Sequence, residues 1–318
     1  MPAGWGGVWV SEAIEFDADG VMLRGRFYPA AGAGAASGAG ASACVVMAHG
    51  WAGTAKHFLD DFAEAFAAGG LAVVLHDHRG WGESDTALGE PRHEVDPWRQ
   101  IRDFQHAISY AQNRPEVDAE RIGVWGTSFS AGHCFVLGAI DRRVKAVVGQ
   151  APFISGLREF QGLTRLDMEH HAHQAFAADR MARHRGGAPT IIPVVDKDPQ
   201  AMAGLPTADA FEYFYGPGGA VERDPGWANE ITLRSVEFLY GYEPGLYLPR
   251  ISPTPLLMLV ARDDRLAPSD VAFHAFSTAA HPKKLVVLPG GHFDAYRDES
   301  AALGQTAARD WFLEHLAS

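Results

Sequence analysis

Short apolar segments alternate with longer amphipathic ones along most of this 318-residue chain. Segment 21–28 alternates apolar and polar residues, as a half-buried strand does, whereas 44–47 is a short all-apolar run that is typical of a strand buried on both faces. The predicted order is strand 21–28, strand 44–47, helix 56–68, strand 72–76, helix 97–113, strand 122–125, helix 131–139 and strand 146–149. Repeated strand–helix units predict a largely parallel sheet that is covered by helices.

The alternation stops between residues 153 and 250, where the chain is irregular and rich in aromatics, Pro and His. It resumes with strand 256–260, helix 269–279, strand 284–288 and helix 299–315. We therefore expect residues 1–152 and 251–318 to form one α/β core, with 153–250 inserted as a cap over the carboxyl edge of the sheet. Residues 30–43 are almost entirely Ala, Gly and Ser, which predicts a flexible surface connection.

The composition excludes several classes of partner. The net charge is −12, with no block of like charge, which argues against a nucleic-acid partner. Cys44 and Cys134 each lie among apolar residues, typical of buried, reduced thiols. The first ten residues lack the pattern of a secretory signal, and every apolar run is too short to span a bilayer. We expect a cytoplasmic protein without a membrane partner, and the sequence leaves open whether the cap supports a homodimer.

A candidate nucleophile follows the strand at 122–125. The motif Gly126-Thr127-Ser128-Phe129-Ser130 has the strand before it and a helix start after it, the context of a nucleophile elbow. In such an elbow the serine occupies a strained turn, and its flanking residues must be small. The last position of the usual G-x-S-x-G pattern is Ser130 here, which is still small. Taken alone, the motif also fits an ordinary strand–helix turn.

An acid and a base follow the later strands in the order that a serine triad requires. Asp264 lies just past strand 256–260 and four residues before Pro268, and Asp263 is the alternative acid. His292 follows strand 284–288 in a tight Pro-Gly-Gly-His loop. A serine hydroxyl becomes a strong nucleophile only when an imidazole takes its proton and a carboxylate orients that imidazole. We therefore predict Ser128 as nucleophile, His292 as base and Asp264 as the orienting acid.

The reaction also needs donors for the oxyanion that forms on the substrate. The first is usually the backbone N–H after the nucleophile, here Phe129, and the second comes from the loop after an early strand. His49-Gly50-Trp51 follows strand 44–47 at that place, and we predict the Trp51 N–H as second donor. His49 itself fits a structural role better than a basic one.

These motifs together resemble the α/β-hydrolase superfamily over nearly the whole chain: residues 49–50, 77–84, 126–130, 264–268 and 290–292. Residues 118–123, 125–130 and 289–296 are similar to a microbial hydrolase and acyltransferase group that includes fungal polyketide transferases. The resemblance implies an α/β-hydrolase fold, with a cap between the sixth and seventh core strands and no cofactor. It also implies that the serine takes an acyl chain from a synthase thioester and passes it to an alcohol or to water.

Two further functions remain open from sequence. Dienelactone hydrolases and X-prolyl peptidases share similar outlines, so peptidase activity is an alternative to action on an ester or thioester. A non-catalytic binding protein on the same fold is the other. The cap aromatics could line an apolar acyl pocket or form the core of the cap: Phe153, Phe160, Phe176, Phe211, Tyr213, Phe214, Tyr215 and Trp227.

Two histidine pairs invite a metal interpretation. His76 and His78 flank Asp77 at a strand end, but that segment matches a turn that the superfamily uses structurally. His170 and His173 would share one face of a cap helix. In both places a structural role fits better, and we predict no metal site.

Overall fold

The computed structural model describes residues 11–32 and 40–317. Half of the Ala- and Gly-rich connection, residues 33–39, and the N-terminal segment 1–10 lie outside the described residues, and so do the predictions made for them.

The first part of the chain forms six strands and three helices. In chain order they are β1 (Glu12–Ala18), β2 (Val21–Tyr28), β3 (Ser42–Ala48), α1 (Leu59–Ala68), β4 (Ala72–His76), α2 (Pro97–Gln112), β5 (Val117–Thr127), α3 (Phe129–Ile140) and β6 (Val144–Gln150).

The inserted segment is mainly helical, which corrects the expectation of an irregular cap. It contains α4 (Gly156–Leu163), α5 (Glu169–His184), β7 (Ile191–Ile192), α6 (Ala208–Tyr215), α7 (Ala220–Arg223), β8 (Ile231–Thr232) and α8 (Leu233–Tyr240). The two short strands pair with each other and not with the main sheet. Most of these helices are short and carry exposed polar residues, so the helical spacing of their apolar residues is difficult to detect in the sequence.

The chain then completes the core with β9 (Leu256–Ala261), α9 (Ser269–Thr278), β10 (Lys283–Leu288) and α10 (Asp298–His315). The eight-stranded sheet has the order β1-β2-β4-β3-β5-β6-β9-β10. Strand β2 pairs antiparallel with both β1 and β4, and every later pairing is parallel. The predicted mostly parallel sheet, with a cap between the sixth and seventh core strands, is confirmed.

The burial of the strands explains the sequence pattern. Every residue of β4 and β9 is buried, as expected for strands that helices cover on both faces. Strand β1 was not predicted; it is an edge strand that buries only Ile14, Phe16 and Ala18, a period of two that spans a few residues. Among the described residues, no helix has the length and apolarity needed to cross a membrane.

Candidate active site

Ser128 lies in the sharp turn between β5 and α3, with φ 54° and ψ −118°. A side-chain-bearing residue is strained at such a positive φ, at a cost of about 1–3 kcal/mol. Backbone hydrogen bonds on both sides hold the turn: the Ser128 N–H donates to the Gln150 carbonyl (2.8 Å), and the Ser128 carbonyl accepts from Ala131 and Phe153 (both 3.0 Å). The hydroxyl therefore projects above the carboxyl edge of the sheet.

Small residues around the turn allow the strand and the helix to approach closely. A Cβ on Gly126 would lie 2.2 Å from the Ser130 carbonyl oxygen, so only glycine fits at that position. Ser130 is fully buried, and its hydroxyl donates to the His49 carbonyl at 2.5 Å. Because that proton is used, the same oxygen accepts from the His78 Nε2–H at 2.8 Å. A glycine at position 130 could make neither bond.

His292 and Asp264 complete a hydrogen-bonded chain with Ser128. The His292 Nδ1–H donates to Asp264 Oδ2 at 2.7 Å, and the Ser128 hydroxyl faces His292 Nε2 at 3.1 Å. Both the imidazole and the carboxylate are buried, which keeps water from competing for these bonds. Gly290, at φ 84°, allows the turn between β10 and the imidazole. This arrangement can take a proton from Ser128 and return it to a leaving group.

The geometry favours Asp264 over Asp263 as the partner of the imidazole. Asp264 Oδ1 accepts from the backbone N–H groups of Leu266 (3.0 Å) and Ala267 (2.8 Å), which leaves Oδ2 for His292. Asp263 instead points to solvent and pairs with Arg262 at 2.9 Å.

The two predicted oxyanion donors lie beside the nucleophile. Phe129 is the first residue of α3, where a backbone N–H has no partner within the helix. Trp51 lies in the loop after β3, and its N–H has no acceptor among the residues that the structure describes. Gly50 approaches the nucleophile so closely that a Cβ there would lie 3.0 Å from Ser128 Cβ. Two free N–H groups near a serine hydroxyl can stabilise an oxyanion.

Hydrogen bonds from buried side chains fix the loop that carries Trp51. The His49 Nδ1–H donates to the Gly50 carbonyl (2.8 Å), and His49 Nε2 accepts from the His78 N–H (3.1 Å). Burial lowers the pKa of His49 to about 4, so the ring is neutral at pH 7. From the cap, the Trp227 indole N–H donates to the Ala52 carbonyl at 2.8 Å. The cap thus contacts the loop that carries Trp51 directly.

A cavity lies over Ser128 between the core and the cap. Of the cap aromatics, Phe153, Tyr213 and Phe214 line it. Phe160 and Phe176 instead line a second cavity within the cap, and Leu239 belongs to both linings. The walls over Ser128 are mainly apolar, so the site suits an acyl chain better than a charged ligand.

Glu159, on α4, lines the same cavity as Ser128, and the sequence pattern did not single it out. It is 6% exposed, and its Oε1 has no hydrogen-bond partner within the part of the chain that the structure describes. Its position beside Phe160 and three residues after Gly156, on the buried face of α4, was the signal available in the sequence.

Of the residues considered for a metal, Asp77, His78 and His170 have hydrogen-bond partners in the protein. His78 bonds Ser130, and Asp77 accepts from the N–H groups of Ala55 (2.7 Å) and Glu83 (3.0 Å). In the cap, His170 contacts Gln174 at 2.9 Å. Within residues 11–32 and 40–317, no group of three or more His, Cys, Asp or Glu side chains is arranged to hold a metal ion.

The sequence was compared with those of known proteins. The sequence profile of the serine aminopeptidase S33 family matches residues 39–202. The chain is 32% identical to the quorum-quenching protein AidA of Acinetobacter baumannii over 264 residues, which cover 82% of each protein. It is 28% identical to the thiohydrolase aneE of Aspergillus aculeatus over 276 residues, which cover 86% of this chain and 83% of aneE.

A solved structure shares the fold over nearly the full length. The α/β-hydrolase GrgF from Penicillium sp. sh18 superposes with a TM-score of 0.81 at 25% identity, over 97% of this chain and all of GrgF. A grgF protein of Penicillium sp. is named a polyketide transferase and is 28% identical over 311 residues, 96% of each chain.

Proposed function

The chain belongs to the serine aminopeptidase S33 family of α/β-hydrolases, and we propose that Ser128, His292 and Asp264 are the catalytic triad through which it acts. The enzyme hydrolyses an ester or thioester, or transfers the acyl group, as its thiohydrolase and polyketide transferase relatives are named. The observation that supports the triad is the continuous chain of hydrogen bonds from Ser128 through His292 to Asp264.

In the first half-reaction, Ser128 Oγ attacks the carbonyl carbon while its proton moves to His292 Nε2. The imidazolium that forms is stabilised by Asp264, which already accepts from Nδ1. The carbonyl oxygen becomes an oxyanion between the N–H groups of Trp51 and Phe129. When the tetrahedral intermediate collapses, the thiol or alcohol departs with the proton from His292, and the acyl group remains on Ser128.

In the second half-reaction, water or an alcohol gives its proton to His292 and attacks the acyl-enzyme. The same two N–H groups hold the second oxyanion, and Ser128 recovers its proton when it leaves. We propose a thioester substrate with an apolar acyl chain, because the cavity over Ser128 is lined mainly by apolar side chains. We also propose that the acyl chain reaches the enzyme as a thioester of a carrier.

Turnover of model esters and thioesters tests this function. The substrates are p-nitrophenyl esters and N-acetylcysteamine thioesters of rising chain length, assayed with the wild type and Ser128→Ala, with and without an added alcohol. We expect turnover by the wild type alone, and an acyl ester product when the alcohol competes with water. Failure of the wild type on every substrate, or equal turnover by Ser128→Ala, would contradict the proposal.

A further inference from the structure

Glu159 is a buried carboxyl group that the triad chemistry does not use. Its Oε1 is buried without a hydrogen-bond partner among the described residues. Burial and the nearby carboxylates of Asp264 and Glu243 raise its pKa well above the usual range. The protonated form is therefore favoured over the ionised one, and in that form the group can donate one hydrogen bond and accept others.

An unpartnered polar group of this kind destabilises the fold, because it has lost its water without gaining a protein partner. A leucine at the same place on α4 would not carry that cost. The carboxyl group shares its cavity with Ser128 and Phe129, so any substrate acylating Ser128 lies close to it. Among the described residues, no Lys or Arg lines this cavity. Of its three histidines, His292 is paired with Asp264, and burial lowers the pKa values of His49 and His57 to about 4 and about 3, so both rings are neutral at pH 7. A polar group of the ligand can therefore supply the partner that Glu159 Oε1 lacks.

We propose that Glu159 is a substrate-positioning residue that hydrogen-bonds a hydroxyl or keto oxygen on the acyl chain, near the scissile carbonyl. The inference rests on the proposed acyl-enzyme function and narrows its substrate class to oxygenated acyl thioesters. A neutral acid suits both oxygens, since it donates to a ketone and exchanges donor and acceptor roles with a hydroxyl. Plain alkanoyl chains would leave the buried carboxyl unpaired, and a site built around a polar contact discriminates against such chains.

The test compares acyl selectivity in matched variants. N-acetylcysteamine thioesters of octanoate are paired with their 3-hydroxy, 3-oxo and 5-hydroxy forms, and kcat/KM is measured for the wild type, Glu159→Leu and Glu159→Gln. Glu243→Gln is the matched control, because it changes a neighbouring carboxylate that does not line the cavity. Labelling of Ser128 by a fluorophosphonate and the unfolding midpoint verify that each variant is folded.

We expect the wild type to favour at least one oxygenated chain by about 10-fold or more, which corresponds to one well-placed hydrogen bond to a polar group. Glu159→Leu should remove that preference while its kcat/KM for octanoate stays within about threefold and its unfolding midpoint rises. Glu159→Gln should keep most of the preference, because an amide also donates and accepts, and Glu243→Gln should keep all of it.

Three results would overturn the inference: no preference in the wild type, a preference that survives Glu159→Leu, or equal losses on plain and oxygenated chains in that variant. Preference for an aminoacyl thioester that is lost in both Glu159 variants would instead identify an ionised carboxylate that binds an amine. Failure of the proposed function itself looks different, because the wild type would then turn over none of the thioesters.

Discussion

Replacing Asp264 by Asn separates orientation of the imidazole from its charge. Asp264 Oδ1 accepts two backbone hydrogen bonds, from Leu266 and Ala267. In Asp264→Asn the amide oxygen keeps these bonds, so the NH₂ group is directed at His292 Nδ1. A donor at that position selects the imidazole tautomer whose proton is on Nε2. That nitrogen then donates to Ser128 and cannot take its proton.

The expected fall in kcat follows from the charge interaction between the buried Asp264 and His292 side chains. Opposite unit charges about 4 Å apart attract by about 4 kcal/mol at an effective dielectric constant of about 20, and this attraction to the imidazolium is lost in the transition state. That loss alone is about 10³-fold in rate. The wrong tautomer adds to it, so we expect kcat to fall by about 10³- to 10⁴-fold.

The assay is steady-state hydrolysis of a p-nitrophenyl ester at pH 7.5, with fluorophosphonate labelling as a second readout. Asp263→Asn is the matched control: the neighbouring carboxylate is exposed and paired with Arg262, so its loss should change kcat by less than about twofold. A fall of less than 10-fold in Asp264→Asn, or an equal fall in both variants, would refute the proposed role of Asp264.

Three further variants test side chains whose hydrogen bonds hold the loops around Ser128 in place. Ser130→Ala should lower the free energy of unfolding by about 1–3 kcal/mol, because the His49 carbonyl and the His78 ring N–H lose their buried partner; an unchanged urea midpoint would contradict this. His49 ionises at about pH 6.5 when unfolded but only near pH 4 when folded, so it stabilises the fold above pH 6.5 and loses that contribution as the pH falls towards 4. His49→Gln should therefore reduce the pH slope of the unfolding free energy by about 1.4 kcal/mol per pH unit in that window, whereas an unaltered slope would argue against a neutral buried ring. Trp227→Phe should lower kcat/KM by about 3- to 10-fold, because the hydrogen bond to the Ala52 carbonyl is lost. Wild-type kinetics in this variant would show that the cap does not hold the loop that carries Trp51.

The location of the candidate site could be predicted from the sequence because parallel strands end at one edge of the sheet. Ser128, Asp264 and His292 each follow the carboxyl end of an apolar strand, so residues far apart in the chain come together once the sheet forms. Local pattern is sufficient at these positions, since each motif directly follows its strand.

Other features depend on packing that no local pattern records. The choice between Asp263 and Asp264 is made by a turn whose backbone N–H groups reach only one carboxylate. The Ser130 hydroxyl bonds the His49 carbonyl and the His78 ring, and both residues precede it by more than 50 positions in the chain. Glu159 resembles any polar residue of a short helix until α4 is placed over the cavity. The helices of the cap were missed because four of the five have eight residues or fewer, too few to show a clear helical periodicity.

The central claim is that Ser128 carries the acyl group between two half-reactions. Rapid mixing with an N-acetylcysteamine acyl thioester, acid quenching and mass spectrometry of the digested protein would locate the covalent adduct. We predict one acyl group on the peptide containing Ser128 in the wild type, and none in Ser128→Ala, which should also lose turnover. Acylation of another residue, or thioester cleavage by Ser128→Ala at the wild-type rate, would contradict the mechanism.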